Sequence, residues 1–293
     1  MKTSIEVPVE QLITRAWQVR QANFPSAVAF DFPLKTRALT VTGSQCQLNC
    51  AHCNGHYLKK MVYVTDWRAK LTQDITSCLI SGGCTKDGKV PVLRYLPVIQ
   101  EIKKSGRKIN LHAGLLDEAE IEQLYQVADV VSFDFVGDRE TIQEVYGLDK
   151  TINDYINAYL RLRKKVKVVP HICIGLRGGS ISGEYRALQL LQELGADGLV
   201  FIVFIPTPGT KYADRTPPVM DEVVRILARA RITMPNTPLH LGCMRPPGKY
   251  RAELDRLALR CGVNKIVQPT PGAVALAGEL GLEIKRGEEC CAL

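Results

Sequence analysis

The stretch Cys46-Gln47-Leu48-Asn49-Cys50-Ala51-His52-Cys53 decides how the rest of the chain is interpreted. It places three cysteines at a C-x3-C-x2-C spacing just after an apolar run, Ala38 to Val41. Thiolates are the usual protein ligands of iron–sulfur clusters, and they also bind zinc. A four-iron cluster normally takes four thiolates. A local set of three therefore predicts a cluster with one iron left open to another ligand.

A zinc site is the alternative interpretation of the same cysteines, because pairs separated by two residues occur in many zinc-binding segments. The fourth ligand would then be His52, His56 or a distant cysteine. The ten cysteines of the 293-residue chain lack an export signal before them, which indicates reduced thiols and metal rather than a disulfide framework. Both interpretations therefore predict a metal centre at this stretch.

The cysteine spacing resembles the signature of the radical S-adenosylmethionine enzymes. This resemblance implies that Cys46, Cys50 and Cys53 hold a 4Fe-4S cluster whose open iron is chelated by the amino and carboxylate groups of S-adenosylmethionine. One-electron reduction in that family splits the cofactor and gives a 5′-deoxyadenosyl radical. The family usually has an aromatic residue before the third cysteine, where this chain has His52. A histidine ring can also lie flat against adenine, so His52 is a predicted cofactor contact.

Composition and charge set the outer limits of the prediction. A chain of 293 residues with 46% hydrophobic content is long enough for one large domain. It has no run of about 18 apolar residues, and its first residues lack the apolar core of a signal peptide, so we expect a cytoplasmic protein without a membrane partner. The net charge of +8 favours acidic partners such as a small carrier protein or nucleic acid. The basic residues are scattered, and nucleic acid is not the expected partner.

Short β-rich runs alternate with helical patterns along most of the chain, which predicts an α/β fold of the (β/α)8 TIM-barrel type. The predicted strands are Ala38–Gly43, Ser77–Ser81, Lys108–Ala113, Val130–Phe135, Val168–Gly175, Gly198–Ile205, Leu239–Met244 and Lys265–Gln268. The predicted helices include Val9–Val19, Glu118–Val127, Glu184–Leu194, Met220–Arg231, Tyr250–Arg260 and Ala273–Leu280. A barrel domain over residues 1–281 is expected, followed by a tail over residues 282–293. A complete barrel is the pattern of the biotin-synthase branch of the family.

Active-site residues of such a barrel lie at the carboxyl ends of its strands. The second strand ends in Ser81-Gly82-Gly83-Cys84, which resembles the family's Gly-Gly motif that holds the amino group of S-adenosylmethionine. The family commonly has a glutamate where this chain has Cys84. Missing side chains at the two glycines let a ligand approach the backbone closely. Ser81, Gly82 and Gly83 are therefore predicted cofactor contacts.

Successive side chains of a strand point to opposite faces, so alternation along each predicted strand assigns its residues to an outward or an inward face. The residues assigned to the inward faces are unusually polar. These faces carry Thr40, Thr42, Asn110, His112, Ser132 and Asp134. Asp134 matches the position where relatives bind the ribose hydroxyls of the cofactor, although an acidic residue there can also cap the following helix. His112 and His171 are candidate substrate ligands, and a buried histidine satisfied by a neighbour is the alternative.

Two later segments add predicted contacts. The glycine-rich exit of the fifth strand runs to Gly183-Glu184 and resembles the family motif that packs against adenine, so Glu184 is included among the cofactor contacts. Arg245 follows the seventh strand, where a guanidinium could clamp a carboxylate or phosphate.

The seven cysteines outside the triad divide by position. Cys78 and Cys261 fall within elements and are predicted core residues. Four others, at strand ends and on the tail, could complete a second 4Fe-4S cluster: Cys84, Cys243, Cys290 and Cys291. A flexible tail with incidental cysteines is the alternative.

The predicted second cluster suggests a comparison with biotin synthase. In that family, cysteines on the strands and an arginine hold the second cluster. Cys173 and Arg245 fall at matching positions, but Asn110, Leu111 and His112 replace the third-strand partner. The chain better resembles the biotin-synthase-like proteins that act together as a two-component lipoyl synthase.

That resemblance implies insertion of sulfur from a sacrificial second cluster into an unactivated carbon of a carrier-bound octanoyl chain. The implied partners are an octanoylated carrier of the lipoyl-domain or H-protein type, a sister radical S-adenosylmethionine protein, and ferredoxin or flavodoxin as electron donor. A radical methyltransferase or cofactor-maturation enzyme, with the extra cluster as electron relay, is the alternative enzyme class. An iron–sulfur carrier or zinc-stabilised binding module is the non-enzyme alternative.

Overall fold

The structure, a computed structural model, describes residues 7–293 of the chain. Its strands are β1 (Ala27–Asp31), β2 (Thr36–Thr40), β3 (Val62–Tyr63), β4 (Ser77–Ser81), β5 (Lys108–Leu111), β6 (Val130–Asp134), β7 (Val168–Ile174), β8 (Leu199–Val203), β9 (Leu239–Leu241), β10 (Lys265–Val267) and β11 (Glu283–Gly287). Its helices are α1 (Val9–Asn23), α2 (Trp67–Lys70), α3 (Leu96–Lys104), α4 (Glu118–Leu124), α5 (Arg139–Tyr146), α6 (Ile152–Arg163), α7 (Glu184–Leu194), α8 (Met220–Thr233), α9 (Lys249–Arg260) and α10 (Pro271–Glu279).

The spacing of apolar residues explains why the outer helices form, and capping residues fix where they begin and end. Helix α6 buries Tyr155, Ala158, Tyr159 and Leu162, which is the spacing of one helical face. The Asp138 carboxylate begins α5 by accepting a hydrogen bond from the Thr141 amide, and Gly147 ends it with a φ of 67°. Such helices cover the outer face of the sheet with their apolar stripes.

All paired strands are parallel and form one curled sheet of the order β11-β1-β10-β9-β8-β7-β6-β5-β4-β2-β3. The eight predicted strands correspond to β2 and to β4 through β10, so the prediction of a TIM-type α/β fold is confirmed. Strands β1, β3 and β11 were not predicted. Strand β1 pairs with both β10 and β11, and it extends the sheet beyond the expected eight strands.

The last residues turn into the sheet's interior instead of running over the surface. The amide of Lys35 donates to the carbonyl of Glu288, and the amide of Cys290 donates to the Thr36 hydroxyl. Ala292 packs against Val130, Val169 and Val200, which lie near the amino ends of β6, β7 and β8. The tail therefore covers the end of the sheet's interior that lies opposite the carboxyl ends of the strands.

Within residues 7–293, none of the helices combines the length and the apolar character that crossing a membrane requires. Cys78 and Cys261 are fully buried, as predicted for core residues.

Candidate active site

One cavity of about 540 Å³ runs through the interior of the curled sheet. Its volume is in the range of sites that hold small molecules and cofactors. The cysteine triad lines one end, and tail residues line the other. Most of the residues named from the sequence lie on its wall: Cys46, Cys50, His52, Cys53, Ser81, Gly82, Gly83, Cys84, Asn110, His112, Ser132, Asp134, His171, Glu184, Cys243, Cys290 and Cys291. The cavity therefore connects the cysteine triad with the two tail cysteines, Cys290 and Cys291.

The cysteine loop is held by backbone hydrogen bonds to three different parts of the fold. The amide of Gln47 donates to the carbonyl of Cys84 at 2.9 Å, and the amide of Ala51 donates to the carbonyl of Val145 at 2.7 Å. The carbonyl of Ala51 in turn accepts the amide of Tyr212 at 3.0 Å. These bonds fix the loop across the carboxyl ends of the strands, where a barrel places its active site.

Gly83 carries the closest packing between this loop and the strand that supports it. A Cβ at this position would lie 1.9 Å from the carbonyl oxygen of Gln45 and 2.6 Å from the Cα of Cys46. The Gly83 amide also donates to the Thr42 hydroxyl at 2.7 Å. The second glycine of the motif is thus needed so that the cysteine loop can rest on the exit of β4.

The three thiols of the triad interact with one another. A hydrogen bond between Cys50 and Cys53 raises the pKa of the buried Cys50 thiol and lowers that of Cys53. Burial raises the pKa of Cys84 to about 12, and the nearby Cys46 adds to this effect. Cys46 Sγ also lies 3.9 Å from the Cys84 carbonyl oxygen. Cys84 therefore belongs to the triad's end of the cavity.

The donor set fits a cluster with a small-molecule ligand. Three soft thiols face one cavity, and the His52 ring on the same wall has a buried Nδ1 with no hydrogen-bond partner within residues 7–293. No group of three or more histidine, cysteine or carboxylate side chains in the described chain is arranged to hold a single metal ion. A four-iron cluster instead presents several irons to its thiolates.

His112 and Asp134 form a charged pair on the cavity wall. Their Nε2 and Oδ2 atoms are 3.1 Å apart. Burial opposes the charge on Asp134, but His112 and His171 outweigh it and lower the pKa of the carboxyl to about 2. Burial likewise opposes protonation of His112, yet Asp134 raises the pKa of this imidazole. Asp138, four residues further on, caps α5, so the alternative role of Asp134 as a helix cap is wrong.

His171 occupies the tail's end of the cavity. Its Nδ1 lies 3.0 Å from the carbonyl oxygen of Val169, and its Nε2 lies 3.5 Å from Cys291 Sγ. Burial lowers the pKa of His171 to about 4. Asn110 donates from Nδ2 to Cys290 Sγ at 3.2 Å. Polar side chains from β5 and β7 therefore reach the two tail thiols.

The four cysteines predicted to share a second cluster all line the cavity, and their sharing of one cluster stays a prediction. Cys84 interacts with the triad, as described above. Burial raises the pKa of Cys291 well above its usual value, and Cys290 and Cys243 add to this. Cys290 and Cys291 lie on the tail, whereas Cys243 follows the carboxyl end of β9.

Glu184, a predicted cofactor contact, already has hydrogen-bond partners within the protein. Both carboxylate oxygens of Glu184 accept backbone amides, from Gly175 and from Ser182, each at 2.7 Å. This carboxylate lines the cavity but closes the glycine-rich loop on itself.

The prediction that Arg245 clamps a ligand is not supported by its position. The side chain is 1% exposed, is absent from the cavity wall, and binds both carboxylate oxygens of Asp255. Its remaining donors reach the carbonyls of Gly242, Val267 and Gln268. All five guanidinium donors are thus used inside the protein.

The alternation of strand residues correctly placed Asn110, His112, Ser132 and Asp134 on the cavity wall. Thr40 and Thr42 instead stabilise the turn before the cysteine loop. The Thr40 hydroxyl donates to the Gly43 carbonyl and accepts the Thr42 amide, and the Thr42 hydroxyl accepts the Gly83 amide.

Sequence reasoning missed two tyrosines on the same wall. Tyr57 lies 3.0 Å from the Thr207 hydroxyl, and the Tyr146 ring stands edge-on to His52 at 5.8 Å between centroids. The closeness of Tyr57 to the cysteine loop, four residues after Cys53, is the sequence feature that could have indicated its place on the cavity wall.

No protein-family model matches the sequence. The chain is 23% identical over 272 residues to the biotin synthase of Ruthia magnifica subsp. Calyptogena magnifica, covering 89% of this chain and 83% of the relative. The solved structure of methylornithine synthase (PylB) superposes with a TM-score of 0.68 at 15% identity, covering 97% of this chain and 91% of that one.

The FeFe-hydrogenase maturase HydG from Carboxydothermus hydrogenoformans superposes with a TM-score of 0.65 at 17% identity, covering 88% of this chain and 63% of that one. These structural likenesses show the fold, and the biotin synthase likeness extends over most of the sequence. The chain is therefore similar over most of its length to a biotin synthase, and its cysteine loop lies at one end of the cavity.

Proposed function

We propose that the protein is a radical S-adenosylmethionine enzyme that inserts sulfur into an unactivated carbon of an octanoyl chain attached to a carrier protein. The observation that carries this proposal is the cavity that holds the triad at one end and is also lined by Cys243, Cys290 and Cys291. A substrate carbon in that cavity can approach both ends. Proximity of this kind is a prerequisite for joining hydrogen abstraction to sulfur capture.

Cys46, Cys50 and Cys53 would hold the 4Fe-4S cluster, and the adjoining wall would hold S-adenosylmethionine. When bound, these groups supply abstraction of a hydrogen atom from carbon. The chain itself would position the cofactor through His52, whose Nδ1 lacks a partner among the described residues, and through the backbone of Gly82 on the cavity wall.

The negative charge of Asp134 is directed into the same cavity, where a carboxylate can accept hydrogen bonds from ribose hydroxyls. Its charge is balanced by His112, so the pair can remain ionised away from bulk water.

The overall change breaks one C–H bond and forms one C–S bond. The hydrogen leaves in 5′-deoxyadenosine, an external one-electron donor such as ferredoxin or flavodoxin supplies the electron that cleaves S-adenosylmethionine, and the sulfur comes from a second iron–sulfur cluster. When bound, that cluster would supply the sulfur and would take up the one electron left over when the C–S bond forms. A single sulfur insertion is the event to measure, because a sister protein of the same superfamily is proposed to share the complete reaction.

The test uses anaerobically reconstituted enzyme, S-adenosylmethionine, a strong reductant and an octanoyl-lysyl carrier domain. We expect 5′-deoxyadenosine to form and the intact mass of the carrier to rise by the mass of sulfur. Enzyme reconstituted with heavy-isotope sulfide should pass that isotope to the product.

The matched control is Cys50→Ala, which should abolish both 5′-deoxyadenosine and the mass increase. A carrier that gains a methyl group, or product that stays unlabelled, would refute the sulfur-donor role and favour the methyltransferase or maturation class. Absence of 5′-deoxyadenosine from an enzyme with a full iron content would refute the radical chemistry itself.

A further inference from the structure

We propose that Glu144 and Tyr212 are positioning residues for the cysteine triad, which they hold through a closed ring of hydrogen bonds around Ala51. Neither side chain lines the cavity. Their role is to fix the main chain between Cys50 and Cys53, and it is therefore distinct from ligand binding. This inference rests on the triad as the cluster site of the proposed function, and its first test needs no bound cluster.

The ring joins the cysteine loop to the two elements that flank it. The amide of Ala51 donates to the carbonyl of Val145, near the end of α5, at 2.7 Å. The amide of Tyr212, in the segment between β8 and α8, donates to the carbonyl of Ala51 at 3.0 Å. The Tyr212 hydroxyl donates to Oε1 of Glu144 at 2.6 Å, and Glu144 adjoins Val145 in the chain. Three hydrogen bonds therefore connect Ala51, α5 and the β8–α8 segment in one circuit.

The bond between Tyr212 and Glu144 is the part of this ring that side chains control. Tyr212 is 1% exposed, and its ring packs edge-on against Phe204 at 5.9 Å between centroids. A buried phenol needs a hydrogen-bond partner within the protein, and Glu144 is that partner. The other carboxylate oxygen of Glu144 accepts Nε of Arg177 at 2.6 Å. Both side chains of this ion pair are more than a third exposed, so the pair contributes little by itself.

The cysteine loop and the residues after it rest on the same two elements at further points. On the side of the β8–α8 segment, the hydroxyls of Tyr57 and Thr207 are 3.0 Å apart. On the side of α5, the Tyr146 ring stands edge-on to His52 at 5.8 Å between centroids. A change in the distance between α5 and the β8–α8 segment would therefore move the thiols and the His52 ring together.

Cys50 is the thiol that reports such a movement best, because it is the buried member of the triad. Its residue is only 7% exposed. A looser loop would admit solvent to Cys50, and solvent exposure is one of the factors that set the potential of an iron–sulfur cluster. Loss of a contact that orients a metal ligand commonly costs about 10- to 100-fold in metal affinity.

The first experiment alkylates the apoprotein of the full chain with iodoacetamide and measures the rate at each cysteine by mass spectrometry. Tyr212→Phe removes the hydroxyl and keeps the ring. We expect Cys50 to react several-fold faster in this variant. The fully buried core thiols Cys78 and Cys261 should react no faster than in the unchanged chain, which would show that the effect is local.

The second experiment uses the iron-loaded protein. We expect Tyr212→Phe to bind iron about tenfold more weakly in competition with a chelator, and to shift the midpoint potential and the electron paramagnetic resonance of the reduced cluster. Glu144→Gln keeps an oxygen that can accept the Tyr212 hydroxyl, so it should behave like the unchanged chain. Glu144→Ala should match Tyr212→Phe. The double variant should be no worse than either single change, since both remove the same bond.

Tyr159→Phe is the matched control, because this buried phenol also donates to an acceptor within the protein, the carbonyl of Gly195 after α7, at 2.8 Å. It should leave Cys50 protection and iron affinity unchanged. The inference is overturned by a Tyr212→Phe variant that keeps Cys50 protected and iron bound, by equal exposure of Cys78 and Cys261, or by the same effects in Tyr159→Phe.

Should Tyr212→Phe fail to fold, Glu144→Ala decides by the same two measurements. An apoprotein in which the ring protects Cys50, but which takes up no iron on reconstitution, would refute the proposed function and leave this inference intact.

Discussion

At the scale of single residues, His112 and Asp134 show how two charged groups are paired on the cavity wall. The pKa of Asp134 is lowered to about 2, so its contribution to stability is present above the usual carboxyl pKa and is lost as pH falls toward 2. The pKa of His112 is raised, so its contribution is present below the usual imidazole pKa and is lost as pH rises through the raised value. The pair therefore stabilises the fold most between these two limits.

We predict that Asp134→Asn lowers the pKa of His112 below the usual value of 6.5, because burial then acts without the opposing carboxylate. The measurement is an NMR titration of the His112 ring proton in the apoprotein. Asp87→Asn, at an exposed position, is the control and should leave that titration unchanged. An unaltered His112 midpoint in Asp134→Asn would show that the carboxylate does not hold the proton on the imidazole.

At the scale of elements, the cysteine loop and the exit of β4 pack as one unit through Gly83. We predict that Gly83→Ala displaces the loop, because the new Cβ would lie 1.9 Å from the Gln45 carbonyl oxygen. The free energy of unfolding should fall by about 1–3 kcal/mol, and iron bound at the triad should fall with it. Urea denaturation of the apoprotein and iron analysis after reconstitution measure the two effects.

Gly278→Ala in α10 is the matched control, since a Cβ there meets nothing within 4 Å. It should be neutral or should stabilise by about 0.4–1 kcal/mol. If Gly83→Ala behaved like this control, the loop would not depend on the close approach.

At the scale of the whole molecule, the net charge of +8 bears on the proposed carrier. Exposed basic residues follow strand ends around the triad, namely Lys59, Lys60, Lys86, Lys211 and Arg215. An acidic carrier domain would be attracted to this end, and salt would screen the attraction. We predict that kcat/KM for the carrier substrate falls as ionic strength rises, whereas that for a short octanoyl-lysyl peptide changes little.

Lys59→Ala with Lys60→Ala should reduce kcat/KM for the carrier and weaken its salt dependence. Lys164→Ala with Lys167→Ala removes the same charge before β7, at the opposite end of the strands, and is the control. Equal effects of the two pairs would indicate that the overall charge, and no particular docking surface, attracts the carrier.

The sequence alone determined those features that depend on residues close together in the chain. Three cysteines within eight residues identified the metal-binding loop, and alternation along single strands identified Asn110 and Asp134 as cavity residues. Such patterns are readable because the geometry of one loop or one strand relates positions a few residues apart.

Only the tertiary structure decided which distant cysteines lie together and which charged groups are already paired. The contact of Cys290 with Thr36 joins positions 254 apart, and that of Cys291 with His171 joins positions 120 apart. Arg245 looked like a ligand clamp until Asp255, on the next helix, was found to bind it. No local pattern records such pairings, because they depend on how the whole sheet curls and on where the last strand places the tail.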